Sequence, residues 1–405
     1  MTRTLVIVGH GMAGHRLATD LLARDTTGTW RVTVLAEEPR PAYNRVGLSG
    51  YLNGRTEAAL SLARPDFLAD PRLDLRLGTP AAAIDRASRT VKTADGTVVP
   101  YDALVLATGS RPFVPPVPGH DLPGCFVYRT IDDLDAIRAA AEGARGRSGV
   151  VIGGGLLGLE AANALRLLGM RPHVVEMASR LMAVQLDQGA GDVLAEMIGE
   201  LGVDVRCSAV TEAVEAGPDG SVAAVRLADG TVIETGLVIF SAGVRPRDEL
   251  AEPAGLARAE RGGILVDGRC RTEDEHIWAV GECAAVEGRC YGLAAPGFQM
   301  AKVVVDQLLG DGDSVFPGAD MSTKLKLLGV DVASFGDAHG TTPGAMEFVR
   351  ADKEAGTYAR LVLAEDGRTL LGGVLAGDAR PYPMLRSLVG RELTAPVEQL
   401  LAPKG

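Results

Sequence analysis

Residues 150–165, VVIGGGLLGLEAANAL, pass from an apolar stretch through a cluster of glycines into a helical repeat of apolar positions. Gly153, Gly155 and Gly158 stand in the order G-x-G-x-x-G, with Leu156, Leu157 and Glu160 opening the helix. Each glycine meets a separate physical demand: a tight turn after the strand, close approach of backbone to a pyrophosphate, and close packing of helix on strand. The amides at the helix N-terminus then face the negative charge. Glu176 ends the next strand, HVVE, where a carboxylate accepts ribose hydroxyls and repels a 2′-phosphate, favouring NADH over NADPH. Arg180, four residues further, is either a solvated surface residue or a cation that softens this preference.

The device occurs earlier as well, in LVIVGHGMAGHRLATDLL at residues 5–22. Gly9, Gly11 and Gly14 fill the glycine positions, and Met12 and Ala13 begin the helix. Glu37, next to Glu38, follows Gly14 by 23 residues, close to the roughly 20 expected of a ribose-binding carboxylate. Strand-like apolar runs alternate with helical patterns over the first 250 residues, as in parallel sheets flanked by helices. One such helix is DDLDAIRAAAEGA, residues 132–144, with Gly146 to Gly149 as its exit loop. From about Met321 the pattern changes to LKLLGVDVASFG and YARLVLAEDGRTLLGGVLAG, strands joined across a D-G turn as in an antiparallel hairpin. The predicted fold is α/β: two Rossmann-like, three-layer ββα dinucleotide-binding domains, the second inserted in the first, and a C-terminal α+β domain.

The 405 residues carry a net charge of -11, with 46% hydrophobic and 23% charged residues. Such a chain is globular. The acidic balance and the lack of a basic run argue against nucleic acid. No apolar run approaches the roughly 20 residues of a membrane helix, and LVIVGHG is too short for a signal-peptide core; a cytoplasmic protein is expected. Cys125, Cys207, Cys270, Cys283 and Cys290 form no C-x-x-C pair, and the six histidines show no paired spacing, so no metal site is expected. The thiols are expected to be buried or idle, and Ser49 has no Ser-His-Asp pattern around it.

Two glycine loops in this order resemble the two-dinucleotide-binding-domain flavoproteins of the pyridine nucleotide-disulfide oxidoreductase superfamily. LVLATGS (residues 104–110, with Ala107, Thr108 and Gly109) and VIFSAGVRP (residues 238–246, with Gly243) resemble that family's interdomain turns. TEDEHIWAVGECA resembles its second FAD motif, with Gly281 and with Glu282 where the usual residue is Asp. Further stretches are AYNRVGLS, LLGLEAANALRLLG, LDQGAGDVL, GVRPRDELA and STKLKLLGVDVASFGDAHG. With AVGECA they resemble the N-terminal reductase portion of the assimilatory nitrite reductase [NAD(P)H] large subunit, from Leu5 to about Gly377. That subunit continues into an iron-sulfur segment and a sirohaem domain. The present sequence ends at LLAPKG without a cysteine cluster and is not expected to reduce nitrite by itself.

The resemblance implies FAD on the first loop and NADH, with NADPH the lesser alternative, on the second. It places Asn44, Arg45, Leu48 and Ser49 of PAYNRVGLSG beside the flavin. Arg45 is then either a cation that stabilises reduced flavin or a surface residue anchoring the next helix. Pro296 and Gly297, just before an apolar-periodic helix, would aim its N-terminus at the flavin. Glu160 is assigned positioning or capping, because hydride transfer needs no proton donor on the nicotinamide side. The implied map is 1–116 and 247–315 for FAD, 117–246 for NADH, and 316–405 for a tail that dimerises or covers the flavin and docks a partner. Lys324 and Lys326 are either docking charges or solvated residues. The expected activity is NADH-driven electron delivery to a separate acceptor protein or small molecule; oxygen as acceptor and a non-catalytic binding subunit are the alternatives.

Overall fold

The computed structural model describes residues 2–144, 147–327 and 329–401. Gly146 of the expected exit loop lies outside them, and Gly149 belongs instead to the strand Ser148–Ile152. The chain divides into two compact units, one of residues 1–111 and 244–319, the other of 112–243 and 320–405.

In the first unit five parallel strands stand in the order Ile277–Ala279, Ala103–Leu106, Arg3–Val8, Trp30–Leu35 and Leu73–Arg76. Leu5, Val6 and Ile7 are fully buried, as expected of a central parallel strand covered on both faces. The helix Met12–Arg24 turns Leu17, Ala18 and Leu21 inward. Its neighbour, the helix Ala294–Leu308, buries Met300, Val304 and Val305. A small antiparallel meander, Ala81–Asp85, Thr90–Thr93 and Val98–Pro100, accompanies the sheet.

The second unit repeats the plan. Its parallel sheet runs Asp204–Arg206, Arg171–Val175, Ser148–Ile152, Val238–Phe240 and Cys125–Val127, with a meander of Thr211–Ala216, Val222–Leu227 and Val232–Glu234. One difference marks the insertion. The outer strand beside the return strand comes last along the chain in the first sheet, at Ile277–Ala279, and first in the second, at Cys125–Val127. The helix Ile131–Gly143 begins with a reciprocal cap: the Thr130 hydroxyl accepts the Asp133 amide at 3.1 Å, and the Asp133 carboxylate accepts the Thr130 amide at 2.8 Å.

The same unit contains the tail, an antiparallel five-stranded sheet ordered Thr323–Leu327, Val330–Gly336, Leu370–Ala376, Thr357–Leu363 and Met346–Asp352. The expected hairpin is the pair Thr357–Leu363 and Leu370–Ala376. Phe335, Leu361, Leu375, Tyr382 and Leu385 form its core. Tyr358 donates to the carboxylate of Asp187 at 2.5 Å, and Asp187 caps the helix Gln188–Glu200.

Candidate functional site

The two glycine loops have the same construction. A methyl group added at Gly9 would lie 2.3 Å from the carbonyl oxygen of Ala107, and one at Gly14 would lie 2.2 Å from that of Gly9. In the second loop the corresponding approaches are Gly153 to Ser241 at 2.3 Å and Gly158 to Gly153 at 1.9 Å. No side chain fits at any of the four. At the middle glycines, Gly11 and Gly155, an added methyl meets nothing within 4 Å. That space lies at the N-termini of the helices Met12–Arg24 and Leu156–Leu167, whose first turns receive no side-chain cap. Each loop thus leaves open space beside uncapped helix N-terminal amides, an arrangement that could hold a pyrophosphate. Gly109 and Gly243 form the matching turns across from the loops, with φ of +72° and +110°.

The carboxylates differ in what holds them. Glu176 Oε2 accepts the Gly154 amide at 2.6 Å, and its Oε1 accepts the Ala178 amide at 2.7 Å, fixing it beside the second loop. Arg180 is partly exposed, and its guanidinium donates to the carbonyls of Leu186 at 2.7 Å and Ala183 at 3.3 Å. Glu37 is paired with Arg247, whose hydrogen bond holds its carboxyl below the usual range. The Arg247 backbone is itself tied to the first loop's partner turn, accepting from the Thr108 hydroxyl at 2.5 Å and donating to Gly109 at 2.9 Å. Leu157 is half-exposed, and Glu160, the fifth residue of its helix, is partly buried.

Asn44 caps the short turn Arg45–Gly47 by accepting the Val46 amide at 3.1 Å, and the helix Leu48–Leu52 follows, with Leu48 buried and Ser49 partly exposed. Arg45 pairs with Glu38, and Tyr43 both donates to Glu38 at 2.8 Å and lies under the Arg45 guanidinium, 5.0 Å from its ring centre. Ala13, Gly281 and Gly297 meet where two helices and the turn Gly281–Cys283 converge: an added methyl at Gly297 would lie 3.2 Å from Gly281 Cα and 3.3 Å from Ala13 Cβ. Pro296 and Gly297 lie inside the first turn of their helix, which starts at Ala294 and not after Gly297 as expected; proline is tolerated there because first-turn amides have no intrahelical acceptor. Glu282 accepts the Ser110 hydroxyl at 2.9 Å.

Several partners carried no signal in the sequence. Arg247 and Ser110 are remote along the chain from the carboxylates they hold, and His10 and His15 form a buried pair beside Phe67. Lys324 is bound to Asp331 at 3.1 Å and to the carbonyl of Ala379 at 3.2 Å, so it is neither a solvated residue nor an outward docking charge. The side chain of Lys326 lies outside the described residues. All five cysteines are free thiols, and burial pushes Cys270 up to about 12 and Cys125 up to about 11, away from thiolate reactivity. Among the described residues no helix is long and apolar enough to cross a membrane.

Residues 3–307 match the sequence pattern of the pyridine nucleotide-disulphide oxidoreductases. The chain belongs to that family. Residues 322–393 match the rubredoxin NAD+ reductase C-terminal domain. Among pyridine nucleotide-disulphide oxidoreductase relatives, the nitrite reductase [NAD(P)H] large subunit of Klebsiella oxytoca is 51% identical, over 98% of this chain and 41% of its own length. Rhodocoxin reductase of Rhodococcus erythropolis is 32% identical, over 98% of this chain and 91% of that protein. A solved complex of putidaredoxin reductase with putidaredoxin is similar over 99% of this chain and 96% of that one, at 26% identity and a TM-score of 0.86. The chain spans less than half the length of the nitrite reductase large subunits it matches, 41% and 46%. The fold and the oxidoreductase class expected from the paired glycine loops are those of the family.

Proposed function

We propose that this chain is an FAD-dependent NADH reductase that passes electrons to a separate redox protein. One observation carries this: a single chain builds two amide-lined cradles of matching geometry, each open at its middle glycine and each beside a carboxylate. Bound FAD supplies hydride acceptance from NADH and release of electrons singly or in pairs. The protein binds, orients and excludes water.

Gly9, Gly11, Gly14 and the amides of Met12 and Ala13 hold the FAD pyrophosphate, and Glu37 its adenosine ribose. Gly281 and Glu282 take the ribityl side, while Asn44, Arg45, Leu48 and Ser49 line the ring, with the helix N-terminus at Pro296 and Gly297. Gly153, Gly155, Leu156, Leu157, Gly158 and Glu176 hold NADH, with Glu160 in a positioning role. Arg180 is committed to loop carbonyls, and no cation is thereby supplied for a 2′-phosphate by that residue, which supports NADH over NADPH. These assignments place FAD in 1–116 and 247–315 and NADH in 117–246, and give 316–405 to partner docking. The substrate being a cytoplasmic nucleotide, we place the protein there. Two separate-partner reductases, of rhodocoxin and of putidaredoxin, are similar over more than nine-tenths of both chains, which supports a protein acceptor here.

The test is reduction of a small one-electron acceptor, ferricyanide, and of a rubredoxin by FAD-loaded protein with NADH. NADH- and FAD-dependent turnover of both is expected. No turnover with either would overturn the proposal.

A further inference from the structure

The residue between the first two glycines of the first loop is His10, and one turn into the helix stands His15; both are 8% exposed. Their ring nitrogens form a chain of three contacts, and the Thr19 hydroxyl oxygen stands 3.5 Å from the last nitrogen, His15 Nε2. The Ala42 amide lies 3.2 Å from His10 Nδ1, His10 Nε2 lies 3.3 Å from His15 Nδ1, and His15 Nε2 lies 3.0 Å from the Leu62 carbonyl oxygen.

The two ends fix the protons. An amide only donates, so His10 Nδ1 is the acceptor; a carbonyl only accepts, so His15 Nε2 carries a hydrogen. The middle contact then has one orientation, His10 Nε2–H to His15 Nδ1, and both rings are neutral. A further proton on either ring would set donor against donor. Phe67 packs on both rings, stacked on His10 at 6.1 Å and edge-on to His15 at 4.7 Å.

The ends of the chain are not arbitrary. Ala42 and Leu62 are backbone partners, Leu62 donating to the Ala42 carbonyl at 2.9 Å, and Asn44 donates to Leu60 at 2.8 Å, with Tyr43 bridged to Ser61. The histidines therefore take up the Ala42 amide and the Leu62 carbonyl, one backbone group from each side of this ladder, and tie both to the glycine loop. The ladder leads directly into Asn44, Arg45, Leu48 and Ser49.

We propose that His10 and His15 are positioning residues, a neutral hydrogen-bonded chain that sets the Ala42–Ser49 segment in register with the FAD-binding glycine loop. This rests on the assignment of FAD to the first loop. Removing the acceptor at His10 leaves a buried amide unpaired and frees the segment.

The test compares His10→Asn with His10→Gln. Asparagine places an oxygen where Nδ1 sits and keeps the Ala42 bond; glutamine reaches toward His15 and leaves the Ala42 amide without an acceptor. FAD dissociation constants are measured by flavin fluorescence, the visible absorbance and circular dichroism of bound flavin are recorded, and NADH binding is measured on protein saturated with FAD. His10→Gln is expected to weaken FAD about tenfold and alter the flavin bands while leaving NADH affinity unchanged, and His10→Asn, which keeps the Ala42 bond but loses the link to His15, to weaken FAD clearly less. Equal behaviour of the two variants, whether both normal or both impaired, would overturn the proposal, as would a loss confined to NADH. Wild-type protein that binds no FAD would instead defeat the assignment on which it rests.

Discussion

The carboxylate of Glu176 accepts the amide hydrogen of Gly154 at 2.6 Å, which locks the residue proposed to discriminate the nucleotide to the loop proposed to hold its pyrophosphate. Glu176→Ala is predicted to lower kcat/KM for NADH about 10- to 100-fold, the worth of one or two charge-assisted hydrogen bonds of about 1.5–3 kcal/mol. NADPH, which gains nothing from the carboxylate, loses less. Steady-state rates with each nucleotide measure the change in their ratio, and an unchanged ratio would refute the assignment of Glu176.

The glycines of one loop separate binding from folding. In Gly155→Ala the new methyl enters open space, so thermal unfolding should be near that of wild type while NADH binding collapses. In Gly158→Ala it meets the Gly153 carbonyl at 1.9 Å. Overpacking of this kind costs about 1–3 kcal/mol or more, so the second variant should unfold at visibly lower temperature. Calorimetry and nucleotide titration of the pair check both halves.

Tyr358 is predicted to stabilise the second unit through its hydroxyl. It donates to the Asp187 carboxylate at 2.5 Å, and Asp187 also accepts the Ala190 amide at 3.2 Å at the start of its helix. Tyr358→Phe removes a hydrogen bond to a charged group and should cost about 1.5–3 kcal/mol, read as a lower urea midpoint with an unchanged slope.

Acid should act through His10. Burial and the neighbouring His15 push its pKa down from 6.5 to about 3; His15 in turn is lowered chiefly by burial, with Arg64 and Asp20 acting on it in opposite senses. With the folded value below the unfolded one, the unfolded chain binds the extra proton between these limits, so stability falls as pH drops from about 6.5 toward about 3. The slope approaches about 1.4 kcal/mol per pH unit for one proton. His10→Asn has no such proton to bind and should flatten this part of the profile in urea unfolding measured across the range.

The glycine loops were legible because their roles are local: turn, approach and packing each need a missing side chain at a fixed spacing. The positions of Glu37 and Glu176, though not their roles, were legible for the same reason, since the strand that precedes each sets its distance along the chain. Arg247, which holds Glu37, and Ser110, which holds Glu282, were not, because they arrive from segments 210 and 172 residues away. The histidine pair was hidden differently. His10 and His15 have no metal-like spacing, and their meaning depends on Ala42 and Leu62, whose backbone groups no side-chain pattern records. Arg180 and Lys324 misled toward the surface because a charged residue just after a strand or on one of its faces is ordinarily solvated, whereas each here closes on a backbone carbonyl.

The most direct test is an anaerobic titration of FAD-loaded protein with NADH and, separately, NADPH, following flavin absorbance and then admitting air. Rapid bleaching by NADH, much slower bleaching by NADPH, and slow recovery in air are predicted for a reductase that serves a separate acceptor. Flavin that stays oxidised under excess NADH would contradict the account, and rapid recovery in air would make oxygen, not a partner protein, the acceptor.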